Sequence, residues 1–397
     1  MSPTGGSLAD LRRRNLATLL SVIARRGPIS RAELTQQLGL GSATVTGLTR
    51  ELLRESLLAV AETSPDGPGR PREMLTVARE VCAWGLTVRT QAGLVAAARV
   101  NYQGEVLESR EIPFDAGSAK AIDELARIVE DLTSPAALAG HPGRLIGVGV
   151  AVGGPVRTAD GRVTSPTLPR LANKPLAHLL SAHSPVPVTV ENDVNALALA
   201  QYLYGPAREL RSFLTVTIGH GVGMAVVLRE QLYHGLGDAA GEIDHVQVDP
   251  DGRPCSCGST GCLHAYTSTH AMLSAAAESG VLTRTGSDDS DLDQLASLAR
   301  DGDRRAASVF AAAGRRLGQV LSPVAAALAP EALIVSGEGV RHWDLLGDGF
   351  EQSLRAARLS AAVTLPVVVG EWDHLAWLRG AAACALHLPM SDNAPTS

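Results

Sequence analysis

Three cysteines fall within eight residues, Cys255-Ser256-Cys257-Gly258-Ser259-Thr260-Gly261-Cys262, ten residues beyond His245. Spacings of two and five, with Gly258 and Gly261 free to turn tightly, can bring all three sulfurs to about 2.3 Å from one ion. The imidazole of His245 completes a tetrahedral donor set. Three thiols and one imidazole suit zinc, and the absence of an obvious fifth partner makes the metal structural. Clustered surface thiols without a metal would oxidise. Five cysteines so arranged are not a secreted disulfide framework, and Cys82 and Cys384 read as core thiols.

At 397 residues, 45% of them hydrophobic, the chain calls for two or three domains of an ordinary globular protein. No run approaches the roughly 18 to 20 apolar residues of a membrane span, and residues 1–10 lack the order of a signal peptide. A cytoplasmic location without membrane contact is expected. The net charge of −6 conceals an asymmetry: residues 1–72 hold ten Lys/Arg against six Asp/Glu, and the remainder 25 against 35. A basic head on an acidic body suits a nucleic-acid-binding module joined to a domain that does not touch nucleic acid.

In the head, Leu8, Leu11, Leu16, Leu19, Leu20 and Ile23 recur at helical spacing. Gly27-Pro28 ends that helix, and Ser30 with Glu33 forms a capping box for a second one that stops at Leu38-Gly39. Ser42 or a neighbour caps a third helix with Val45, Leu48 and Leu52 inward. Ser42, Thr44, Thr46 and Arg50 then face a major groove. Two short strands, 57–61 and 74–77, flank a turn through Arg70-Pro71-Arg72, a wing whose arginines can enter a narrow minor groove. Residues 1–78 thus read as a winged helix-turn-helix that binds a double-stranded DNA operator.

Beyond Val81, β-rich runs at 84–88, 94–101, 106–112 and 145–152 surround a helix at 119–132. A comparable order returns with strands at 213–218, 223–228 and 332–336 and a helix at 304–329. Two similar halves imply a bilobal α/β body over residues 79–397, with a ligand cleft between lobes and the zinc loop at 245–262. Asn192 and Asp193 follow the strand 188–190 and open a helix, so capping is one role; side by side, an amide and a carboxylate also suit a bidentate grip on a diol.

The run Glu191-Asn192-Asp193-Val194-Asn195-Ala196, followed by Glu242-Ile243-Asp244-His245 and the cysteine loop, resembles the ROK family (repressors, open reading frames and kinases). The head and the wing Gly69-Arg70-Pro71 look like its regulator branch. The resemblance implies an actin/hexokinase-like sugar-kinase fold. It also implies sugar contacts at Gly154, Asn192, Asp193, Glu242 and His245, with one ring nitrogen of His245 on zinc and the other toward the ligand. His264 stands where the family usually has glutamate, exchanging an acceptor-only carboxylate for an imidazole at that contact.

Active members of the family need an Asp-x-Gly-Gly-Thr hairpin whose backbone approaches ATP phosphates. The matching segment, Gly85-Leu86-Thr87-Val88-Arg89-Thr90-Gln91, has threonine for the aspartate and no glycine at its turn. A second turn, Gly219-His220-Gly221-Val222-Gly223, keeps its glycines, although that spacing also fits a plain hairpin. The expectation is a non-enzymatic regulator, a repressor of carbohydrate genes released by a sugar or sugar-phosphate effector. It would act as a homodimer or homotetramer. An ATP-dependent sugar kinase with an accessory head is the alternative.

Overall fold

The computed structural model describes residues 8–64, 72–139, 143–164, 168–355, 364–371 and 373–386. Contacts divide the chain into two compact units, one formed by residues 1–209 with 374–397, the other by 210–373. Among the described residues no helix is long and apolar enough to cross a membrane.

The first unit opens with α1 (Leu8–Arg26), β1 (Ile29–Ser30), α2 (Arg31–Leu38), α3 (Ser42–Arg54), β2 (Leu58–Ser64) and β3 (Arg72–Val77). The capping box is present: Glu33 N–H donates to Ser30 Oγ at 3.3 Å, and Ser30 N–H to Glu33 Oε2 at 2.8 Å. Gly39 ends α2 in the left-handed region at φ +62°. The cap of α3 is the extended backbone of Gly41, without a side-chain bond, and Ser42 is the first helical residue. Val45, Leu48, Thr49 and Leu52 are buried. The sheet has three strands rather than two, in the order β1-β3-β2. Two-residue β1, paired Ile29↔Leu75 and Ser30↔Met74, is too short for periodicity to reveal.

The same unit continues with β4 (Val81–Arg89), β5 (Leu94–Asn101), β6 (Val106–Pro113), α4 (Ala121–Thr133), β7 (Arg144–Val152), the small hairpin β8 (Val156–Arg157) and β9 (Arg162–Val163), and β10 (Val188–Asn192). Its sheet runs β10-β7-β4-β5-β6. Strand β4 is antiparallel to β5 and β5 to β6, whereas β7 and β10 join in parallel. The last helix, His374–Leu386, lies directly on this sheet. A Cβ added at Gly149 would stand 1.7 Å from the Ala381 carbonyl, and one at Gly85 2.1 Å from that of Leu378. The head shares this core: Leu19, Ile23, Leu48 and Leu75 cluster with Val81, Ala83, Val100, Leu378 and Ala382.

The second unit holds β11 (Phe213–Ile218), β12 (Val222–Leu228), β13 (Gln231–Leu232), β14 (Ala332–Ser336) and β15 (Val367–Val369), in the order β13-β12-β11-β14-β15. Again the first three strands form an antiparallel meander and the last two add in parallel. Both sheets therefore read third, second, first, fourth, fifth, which identifies an internal structural repeat. Helices Arg304–Leu328 and Trp343–Leu354 meet at backbone contact, because a Cβ at Gly314 would lie 2.1 Å from the Leu346 carbonyl. Phe310 and Phe350 fill the core beside them.

Candidate functional site

In the first unit, Asn192 pairs with Val152 across the parallel strands β10 and β7, so the loops leaving both strands start side by side. The crevice beyond the carboxyl ends of parallel strands is where open α/β sheets take ligands. Asn192 caps the helix Asp193–Tyr204: its Oδ1 accepts from Asn195 N–H at 3.0 Å, while its Nδ2 donates to the Gly154 carbonyl at 3.0 Å. Gly154 holds φ +92°, a conformation that favours glycine. A Cβ at Gly153 would stand 3.7 Å from Asp193 Oδ2. The fold thus brings Gly154, Asn192 and Asp193 together. Glu191, which the sequence reading left without a role, is buried beneath them; its Oε1 accepts from Asn192 N–H at 2.8 Å and from Asn195 Nδ2 at 3.0 Å. The signal for it was the unbroken Glu-Asn-Asp-Val-Asn run.

The far end of that helix meets the head. The Arg25 guanidinium stacks 3.9 Å over the Tyr202 ring and donates to Tyr202 Oη and to the Arg208 carbonyl. Arg208 returns a hydrogen bond to the Arg25 carbonyl. Arg25 is buried, so its charge rests on this cage of ring face, hydroxyl and carbonyl.

In the second unit, Glu242 precedes the 3-10 turn Ile243–His245. The backbone there is pressed on β12, since a Cβ at Gly241 would lie 1.8 Å from the Met224 carbonyl. Burial, and secondarily the charge of Asp244, raises the Glu242 carboxyl above its ordinary value. His264 Nδ1 lies 2.8 Å from Asp244 Oδ2, and that hydrogen bond lifts the imidazole above its usual range. The His264 and His245 rings sit 6.2 Å apart, centre to centre. Asp244 as the partner of His264 went unforeseen, because the two are separated by a folded loop.

His245 and the three cysteines converge, with one donor atom of each within 4.8 Å of all the others. Cys255 Sγ is 3.6 Å from His245 Nδ1, and Cys257 Sγ is 3.7 Å from Cys262 Sγ. Gly261 at φ +68° is essential to the loop, where a Cβ would fall 1.5 Å from the Asp249 carbonyl. Such a cluster of three thiols and an imidazole can hold a metal ion.

On the head, Ser42, Thr44 and Arg50 are exposed along α3 and Thr46 is half-buried. Arg72 is exposed at the start of β3, while Arg70 falls outside the described residues. The β4–β5 turn is the 3-10 segment Thr90–Ala92, closed by Gly93 at φ +63°. One glycine therefore does remain at this turn, correcting the sequence reading, but it is not the paired glycine of a phosphate loop.

The ROK family model matches residues 91–387. A putative xylose repressor of Caldicellulosiruptor sp. (strain Rt8B.4) is 27% identical over 361 residues, spanning 88% of each chain. A solved ROK family transcriptional regulator, a homologue of the Escherichia coli Mlc protein, superposes with TM-score 0.79 at 25% identity over 96% of this chain and 97% of its own. A ROK family glucokinase from Streptomyces griseus, solved with glucose and AMPPNP, gives TM-score 0.63 at 26% identity over 76% of this chain and 98% of its own. With a family model over most of its length and the carboxylate, histidine and cysteine motifs in place, this chain belongs to the ROK family.

Proposed function

We propose that the protein is a DNA-binding transcriptional repressor of carbohydrate genes, released from its operator by a sugar or sugar-phosphate effector. The observation that carries this reading is coverage. The regulator matches 96% of the chain, whereas the glucokinase, nearly all of itself, matches 76%. What the regulator adds corresponds in size to the head. Residues 1–78 then form a winged helix-turn-helix, with Ser42, Thr44, Thr46 and Arg50 toward base edges and phosphates and Arg70 and Arg72 in the wing. Residues 79–397 form the effector-binding body.

Asn192 and Asp193 grip vicinal hydroxyls of the effector, and Gly154, Glu242, His245 and His264 supply further contacts, as the family resemblance implies. Zinc is the metal of the cysteine cluster. Bonds of about 2.3 Å to sulfur and about 2.0–2.1 Å to nitrogen give tetrahedral edges of about 3.8 and 3.6 Å. The separations of 3.7 and 3.6 Å support that assignment. His245 would ligate through Nδ1, leaving Nε2 for other contacts. When bound, zinc crosslinks the loop and neutralises thiolate charge. The twelve-residue helix Asp193–Tyr204 carries the effector signal from its capped end to the Arg25 cage, changing how the heads of a dimer or tetramer match operator half-sites.

Fluorescence anisotropy with DNA from upstream of the protein's own gene, with and without a panel of sugars and sugar phosphates, tests this. Tight, sequence-selective binding relieved by one ligand is expected. Unselective binding together with sugar-dependent ATP consumption would establish the kinase instead.

A further inference from the structure

The second glycine-rich turn contains a feature that the regulator reading does not use. Strands β11 and β14 run parallel with Thr217 opposite Ser336, so the loops Gly219-His220-Gly221 and Gly337-Glu338-Gly339 leave the same edge as neighbours. Glycines hold the second loop against the first strand: a Cβ at Gly337, where φ is +92°, would lie 2.5 Å from the Ile218 carbonyl, and one at Gly339 2.9 Å from Ile218 Cγ2. Pinned in this way, Glu338 lays its carboxylate over the turn. His220 N–H donates to Glu338 Oε1 at 3.1 Å, with His220 Nε2 3.8 Å from the same oxygen. A Cβ at Gly219 would fall 2.2 Å from the Glu338 carboxyl carbon, so the carboxylate occupies the space beside that glycine. On the other side, a Cβ at Gly221 would stand 3.4 Å from Asp244 Oδ2.

A glycine turn with an inward backbone N–H at the carboxyl end of parallel strands is a cradle for phosphate oxygens. Here the cradle already holds an anion and has a second carboxylate at its rim. We propose that Glu338 is an internal anion that fills this cradle and excludes polyphosphates and nucleoside triphosphates from it. Its negative charge repels the incoming phosphate, its carboxyl group takes the space, and its oxygen uses the His220 N–H donor. Closure is thus built into the second half of the repeat, independently of the altered turn in the first. The inference does not depend on DNA binding, whereas sugar-dependent ATP consumption in the operator experiment would overturn it.

The test uses the full-length chain and isothermal titration with inorganic pyrophosphate and with ATP at fixed ionic strength. Glu338→Gln keeps an acceptor for His220 N–H and removes only the charge, while Glu338→Gly also empties the cradle. The unaltered protein is expected to show no measurable binding of either probe. The glutamine variant should gain affinity and the glycine variant more, about tenfold or beyond, with the gain shrinking as salt is raised. Adding Gly219→Ala to the glycine variant should abolish that gain by placing a methyl group where the phosphate would sit. Tight pyrophosphate binding by the unaltered chain would overturn the proposal. So would variants no better than the parent, or a gain that persists with alanine at 219.

Discussion

The two five-stranded sheets share strand order and strand sense, yet the loops at matching positions differ in chemistry. After the fourth strand of the first sheet come Gly153-Gly154, beside Asp193; after the fourth strand of the second come Gly337-Glu338-Gly339. Gly154 and Gly337 both hold φ +92°, a conformation that favours glycine. In the first half the turn lies beside the Asp193 carboxylate, and the Gly154 carbonyl accepts from the Asn192 amide. In the second, the Glu338 carboxylate lies over the neighbouring turn at Gly219. The halves also differ in what secures them. The first is clamped by the final helix at glycine contacts and by the Arg25 cage, whereas the second carries a cluster of His245 and three cysteines that could hold a metal ion. A repeated scaffold fixes where strand exits meet; a few side chains in those exits decide what enters.

The comparison breaks most visibly at the metal. Cys262→Ser should remove the ion, measured as metal per chain by elemental analysis, and destabilise the second unit while leaving the first folded. Structural zinc contributes about 10–16 kcal/mol in small metal-folded peptides, and a loop on a preformed lobe depends on it less. Full metal content in the variant would discard the ligand set. In the first half, Gly149→Ala places a methyl group 1.7 Å from the Ala381 carbonyl and should cost about 3 kcal/mol or more, read as a lower urea midpoint. An unchanged midpoint would mean that the final helix yields without cost.

Arg25→Ala removes a stacked, hydrogen-bonded cation at the junction and should cost about 2 kcal/mol. Its sharper readout is a split: the effector still binds and the operator still binds, but the first no longer weakens the second. Coupling retained in full would exclude the Asp193–Tyr204 helix as the route. The smallest effect is expected at the wing, where Arg72→Ala should lower the slope of log affinity against log salt by about one counterion per head. An identical slope would place Arg72 away from DNA.

Much of this was legible in the sequence because it is local. Helical spacing gave α1 and the buried face of α3, the Ser30 and Glu33 pair gave the capping box, and the strands Leu94–Asn101, Phe213–Ile218 and Ala332–Ser336 match their predicted bounds. The convergence of His245 with the three cysteines was legible because three of the four lie within eight residues. The two-residue strand β1 was missed because it exists only through pairing with β3, and the cap of α3, left open between Ser42 and a neighbour, is Gly41, where the chain enters the helix extended.

The sequence by itself determined most of the elements, the clustering of three cysteines in one loop and the adjacency of Asn192 and Asp193, since caps, periodicity and short spacings act over a few residues. Only the tertiary structure decided that Asp244 meets His264, that Glu338 settles over Gly219 and that Arg25 reaches Tyr202. These partners lie 20, 119 and 177 residues apart. Their meetings depend on strand register, on glycines thin enough for backbones to touch and on helices packed at those contacts, none of which a local pattern encodes.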